Sequence, residues 1–298
     1  MLLISYLPNI IFFIILSLSL GYFISNVLKL RRNINLGIDL DIDVSENSKE
    51  RWMNMARIAL GQSKMVRRPI AGALHVVVYI GFIIINIELI EIVIDGLLGT
   101  HRIFSFMGGF YGFLISSFEI LAILVVISVS IFWLRRNIIK LKRFYEDKMK
   151  GWPKLDADLI LYFEIILMSL FLLMNATDVE FQKMNNGNII SGLIFPLFES
   201  YSVETLHILE RIFWWSHIIG ILFFLNYLYF SKHLHILLAF PNTFYASTEN
   251  MGKMSNLKSV TNEVNLMLNE YSTDQSINSQ ENLNEISNSN TLSVPSCF

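Results

Sequence analysis

Residues 211–241 read RIFWWSHIIGILFFLNYLYFSKHLHILLAFP. The run is almost wholly apolar and long enough to cross a bilayer, which takes about 20 residues. It carries three of the chain's six histidines, His217, His233 and His235. Read as one continuous helix at about 100° per residue, it places His217 and His235 on the same face, five turns and about 27 Å apart. His233 then points about 160° away from His217. Two imidazoles on one face of a membrane helix, each near a different surface, suit ligation of two stacked cofactors.

Working outward, the whole chain has 298 residues, of which 53% are hydrophobic and 16% charged, with mean hydropathy +0.50. A chain so apolar cannot hide its surface in one aqueous core, so a polytopic membrane protein is expected. The single cysteine, Cys297, can neither form an internal disulfide nor hold an iron–sulfur cluster, which needs a set of cysteines. There is no Gly-rich phosphate loop, no nucleophile motif and no zinc spacing, and no nucleic-acid partner is expected.

Five apolar stretches read as spans: 10–28, 69–96, 110–134, 159–174 and 211–241. The expected fold class is therefore all-α, a polytopic helical bundle with five transmembrane helices. Pro69 opens the second span at a first-turn position, where its missing N–H does no harm. An amphipathic helix is expected over 50–64. A five-helix membrane domain is expected at 1–245; the remainder, 246–298, is polar and Asn- and Ser-rich and reads as a disordered tail. Nine Lys and Arg fall between Lys29 and Arg68 and eight between Arg135 and Lys154, against one in the loop holding His101. The positive-inside rule then puts the first two segments in the cytoplasm and the N-terminus outside, with the chain a multi-pass protein of the cell inner membrane. His75 and His235 lie toward the cytoplasmic surface, His217 and His101 toward the outer one.

Histidines inside spans are costly unless partnered, so each is a functional candidate. His75 and His235, on two spans at matching depth, suit the two axial positions of a b-type haem. His217 is opposed at its own depth by Ile85 and Asn86, neither a haem ligand; His101 folding back could reach it. His207 and His233 read as exposed or headgroup-level residues. Among the acids, Glu88, Glu91 and Asp95 share one face of the second span's outer half. Glu88 and Glu91 are candidates for a quinone or proton path; the alternative is that Glu91 and Asp95 simply pair with Arg102. Glu119 and Glu164 are further carboxylates within spans.

The stretches RRPIAGALHVVVYIGF (67–82) and WSHIIGILFFLNYLYFSKHLHILLAFP (215–241) resemble the membrane cytochrome b subunit of respiratory nitrate reductase, the gamma subunit, and the membrane subunit of heterodisulfide reductase. The spacing of His217 and His235, the Phe-Ser-basic run before His235, Pro241, and DADLIL at 156–161 carry the likeness, which covers roughly residues 5–245. The resemblance implies five helices, haem b, and electron transfer between a membrane quinone and iron–sulfur subunits in the cytoplasm. It implies that His75 and His235 ligate the haem nearer the cytoplasm and that His217 is one ligand of an outer haem. Ile85 stands where that family has a further histidine, so either one haem is bound or His101 supplies the missing ligand. With no cluster motif here, the clusters belong to a cytoplasmic iron–sulfur partner of the heterodisulfide-reductase-like type.

The expectation is thus a membrane anchor and electron-transfer subunit of an oxidoreductase of the respiratory chain, rather than an enzyme alone. Two alternatives remain open from the residues: a proton- or metal-translocating membrane protein, in which Glu88, Glu119 and Glu164 are decisive, or a cofactor-free scaffold subunit. Against translocation stands the lack of an inverted repeat or of paired broken spans.

Overall fold

Pro8, Pro69 and Pro153 each sit in the first turn of a long helix, where φ is already helical and no backbone donor is lost. In the computed structural model, which describes residues 6–37, 47–144, 146–184, 187–248 and 257–268, these prolines open three of five long helices. The chain divides into two units, 1–246 and 247–298. In the first, α1 is Leu7–Ile34 and α2 is Ser48–Met55, prolonged by a π turn at Ala56–Leu60. Then come α3 (Pro69–Leu98), α4 (Gly109–Asn137) and α5 (Trp152–Thr177). Two short helices, α6 (Val179–Met184) and α7 (Ser191–Ile194), lead to α8 (Val203–Leu228) and α9 (His235–Phe244). In the second unit the described helix is α10, Lys258–Leu268; most of the expected disordered tail lies outside the described residues.

The fold is all-α, with no strand among the described residues. Helices α1, α3, α4, α5 and α8 are long and apolar enough to cross a membrane, which matches the five expected spans. They pack as a ring in the order α1, α3, α4, α5, α8, with α1 closing it between α8 and α3. Phe12 of α1, Ile115 and Phe118 of α4, Phe171 of α5 and Ile218 of α8 form the core. In lipid, apolar area alone does not drive helix association, and small residues that admit close approach do. Gly220 shows this, because a Cβ there would stand 2.7 Å from Leu167 of α5.

The alternation of helix direction gives the bundle two chemically different ends. One gathers Arg31, Arg32, Arg67, Arg68, Arg135 and Arg136, the basic end. The other gathers Asp95, Asp178, Glu204 and Glu210, the acidic end.

The quoted stretch does not form one helix. α8 begins at Val203, eight residues earlier than read from sequence, and stops at Leu228. Ser231 Oγ accepts from the His233 N–H, and Asp156 at the start of α5 accepts from the Lys232 N–H. Both donors are thereby taken from a helical ladder, so the chain turns through Lys232–Leu234 and restarts as α9 at His235. The five-turn, same-face relation of His217 to His235 therefore does not hold, nor does the placement of His233 on an opposite face.

Candidate functional site

The turn between α8 and α9 is built to aim imidazoles. Asp156, 1% exposed, takes the Tyr227 hydroxyl with one oxygen and the Lys232 N–H with the other. The Lys232 ammonium reaches the Pro153 carbonyl. This clamp holds His233 and His235 with ring centroids 5.6 Å apart and turns both to a cavity of about 540 Å³. That volume falls within the roughly 300–1,000 Å³ usual for cofactor and ligand sites. His75, from the second turn of α3, lines the same cavity, among Val78, Tyr79, Phe82, Ile160 and Leu161. Sequence reading placed His75 and His235 at one depth, and the fold brings them to one cavity.

Two details fit these imidazoles to a metal-bound group. His235 Nδ1 lies 2.9 Å from the Lys232 carbonyl; a carbonyl only accepts, so Nδ1 carries the proton and Nε2 keeps its lone pair. Orientation of a ligating histidine by a carbonyl on its other nitrogen is the usual arrangement. His75 Nδ1 is buried with no hydrogen-bond partner among the described residues. His235 itself is exposed and lines the same cavity. A second cavity of about 260 Å³ adjoins, sharing His233 and His235 and adding Arg135 and Lys232, so cations stand beside the apolar space.

His233, read from sequence as a headgroup-level residue, instead lies inside this site with Nε2 3.5 Å from Glu164. Burial, and next the adjacent His235, push its imidazole down to about 4, so it is neutral near pH 7. The signal that would have found it is Ser231, a capping residue type two places ahead.

Midway through the bundle a smaller cavity of about 110 Å³ is lined by Ile85, Asn86, Glu88, Glu164 and His217. His217 is 2% and Glu88 3% exposed, and His217 Nδ1 and Glu88 Oε2 have no hydrogen-bond partner among the described residues. Ile85 lines this same cavity, as the depth match required.

The acidic end resolves the remaining candidates. His101 does not reach the His217 cavity: its Nε2 lies 3.1 Å from Asp178 and its Nδ1 3.6 Å from Glu180, so both ring nitrogens face carboxylates. The hydrogen bond to Asp178 raises the His101 pKa against the opposing effect of burial. Arg102 is buried, and its guanidinium bonds Asp178, Asn175 and Tyr111. Burial opposes ionisation of Asp178, but His101 and Arg102 outweigh it and hold the carboxyl well below its usual range. Glu91 accepts from the Phe104 N–H and the Tyr111 hydroxyl, and Asp95 accepts from the Arg102 and Ile103 N–H groups. Those two acids shape the loop after α3. Glu119 does similar work, accepting from Ile190 N–H, Ser191 N–H and Asn175. Of the three acids on that face of α3, Glu88 alone has an oxygen without a partner among the described residues. A cavity of about 390 Å³, lined by Glu88, Glu91, Asp95, His101 and Trp214, opens here.

The chain is 28% identical over 259 residues to the "Probable iron-sulfur-binding oxidoreductase FadF" of Bacillus subtilis, covering 84% of this chain and 34% of that protein. It is 22% identical over 204 residues to the "EtfAB:quinone oxidoreductase" of Syntrophomonas wolfei, covering 64% of this chain and 27% of that one. The chain thus spans about a third of the length of the curated relatives it matches. No family model matches it, and no solved structure does.

Proposed function

We propose that this chain is a membrane electron-transfer subunit that binds one b-type haem between His75 and His235. The haem supplies one-electron transfer when bound. The observation that carries this reading is the shared apolar cavity, in which one imidazole is oriented through its far nitrogen and the other has an unsatisfied buried nitrogen. Arg135 and Lys232 in the adjoining cavity suit the carboxylates of such a macrocycle. The fold holds these two histidines on separate elements, α3 and α9.

The acidic-end cavity, with Glu88 and Glu91 on its wall, is the place where a membrane quinone exchanges electrons and protons. The basic end faces the cytoplasm, the N-terminus lies outside, and the membrane is the cell inner membrane. An acidic iron–sulfur protein of the heterodisulfide-reductase-like type docks on the arginines there. The names of the two relatives, an iron–sulfur-binding oxidoreductase and a quinone oxidoreductase, support electron transfer between those two classes of partner. Dithionite-reduced minus oxidised spectra of the purified chain are expected to show b-type bands, and His75→Ala to abolish them. A folded chain from a haem-replete host with no such bands overturns the reading.

A further inference from the structure

The three cavities follow one another along α3. The basic-end cavity meets His75 to Ile83, the middle one Val78 to Ile92, and the acidic-end one Glu88 to Gly99. From His75 to Gly99 is a rise of about 36 Å, more than the about 30 Å of a bilayer's hydrocarbon core. Neighbouring cavities share a carboxylate. Glu88 lines both the acidic-end and the middle cavity, and Glu164 lines both the middle and the basic-end cavity.

His217 lines the middle cavity together with both carboxylates, and its Nδ1, like Glu88 Oε2, is buried with no hydrogen-bond partner among the described residues. Glu88 lies six to ten residues along α3 from Phe82 and Val78, which line the middle and basic-end cavities together with Glu164, an axial separation of about 9–15 Å. That is too far for a direct proton hop and within reach of bridging water. The cavity volume of about 110 Å³ exceeds the about 10–15 Å³ that one water needs. Asn86, Glu88, Glu164 and His217 offer the several polar partners that a buried water requires. In a span, a buried carboxylate or imidazole held only by structure has its bonds filled, as in Glu119; these two do not.

We propose that Glu88, His217 and Glu164, joined by internal water, form a proton path through the bundle between its two ends. A proton leaving Glu88 makes it a carboxylate, and His217 becomes imidazolium. His217 returns to the neutral form as the proton passes to the Glu164 carboxylate, which becomes the acid; the reverse gradient runs the same steps backward. The charged and titratable groups that act on Glu88 are Arg102, Glu91, Asp95, Glu119 and Tyr111. This path uses no haem and goes beyond the electron-transfer reading, giving the unopposed His217 a role other than iron ligation.

The test is proton flux into liposomes that carry the full chain and a trapped pH-sensitive dye, with a potassium gradient and valinomycin setting the potential. The parent is expected to conduct above protein-free liposomes, and E88Q, H217Q and E164Q each to lower the flux by about tenfold or more, or about 1.4 kcal/mol in barrier. Glu204→Gln, on the exposed first turn of α8, is expected to conduct like the parent. Helicity and elution volume identify variants that fold. A parent no more permeable than empty liposomes overturns the path, and so does parent-like flux in any one folded variant of the three. Haem content of the same samples reports separately on His75 and His235: a haem-free chain with Glu88-dependent flux removes the haem and keeps the path.

Discussion

At the acidic end His101 has a carboxylate facing each ring nitrogen, Asp178 at 3.1 Å and Glu180 at 3.6 Å. At the basic end His75 has a buried nitrogen without a partner among the described residues, and His235 is oriented through Nδ1 so that Nε2 stays free. The same side chain is thus closed into a carboxylate cluster at one end and left with a nitrogen free of side-chain partners at the other. The difference lies in what its neighbours leave unsatisfied. Polar residues at the acidic end close on one another through Arg102; those at the basic end close on the backbone and leave imidazole lone pairs facing an apolar cavity.

The comparison breaks most visibly at Arg102, whose side chain is 7% exposed and paired with an Asp178 that is 5% exposed. Arg102→Ala removes the guanidinium from the buried Asp178, leaving His101 as its side-chain partner, and is expected to cost about 3 kcal/mol, the low end for breaking a buried pair, read as a lower denaturation midpoint in detergent. A loss below about 1 kcal/mol, the level of an exposed pair, is incompatible with a closed cluster.

A smaller effect is expected at the other end. Ser231→Ala removes the oxygen that accepts from the His233 N–H, costing about 1 kcal/mol. Haem occupancy is expected to fall, because the turn that presents His235 loosens. Unchanged occupancy with reduced stability separates the turn from the ligand.

The smallest effect is one of pH. The His101 pKa is raised from 6.5 and that of Asp178 lowered from 3.8. The Asp178 contribution is present above 3.8 and lost as pH falls through its depressed value. The His101 contribution is full below 6.5 and lost as pH rises through its raised value. Stability of the pair is therefore expected to be greatest between those ordinary values and to decline above pH 6.5. His101→Gln removes the alkaline part of that decline, as a denaturation series across pH measures; an identical series in parent and variant detaches His101 from the cluster.

Much of this division was legible in the chain. The five spans follow from apolar run length, and Pro69 fixed where α3 begins, hence that His75 falls in its second turn. The depth match of Ile85 to His217 also followed, since both elements are regular helices across that region. What periodicity could not show was the break at residues 229–234, because a helical wheel assumes the helix it is applied to. The break depends on Asp156, which lies 76 residues from Lys232 in sequence. DADLIL marked a resemblance, and its first residue turns out to hold the imidazole-bearing turn. Asp178 follows the end of α5 and accepts from the Phe181 N–H, a helix-capping pattern legible from residue type alone. Ion pairs across 70 or more residues leave no local trace.

Haem iron per polypeptide in the purified full chain tests the central claim most directly. One per chain, lost in both His75→Ala and His235→Ala and retained in His217→Ala and His101→Ala, is the expected result. No haem, or two haems of which one depends on His217, contradicts the account.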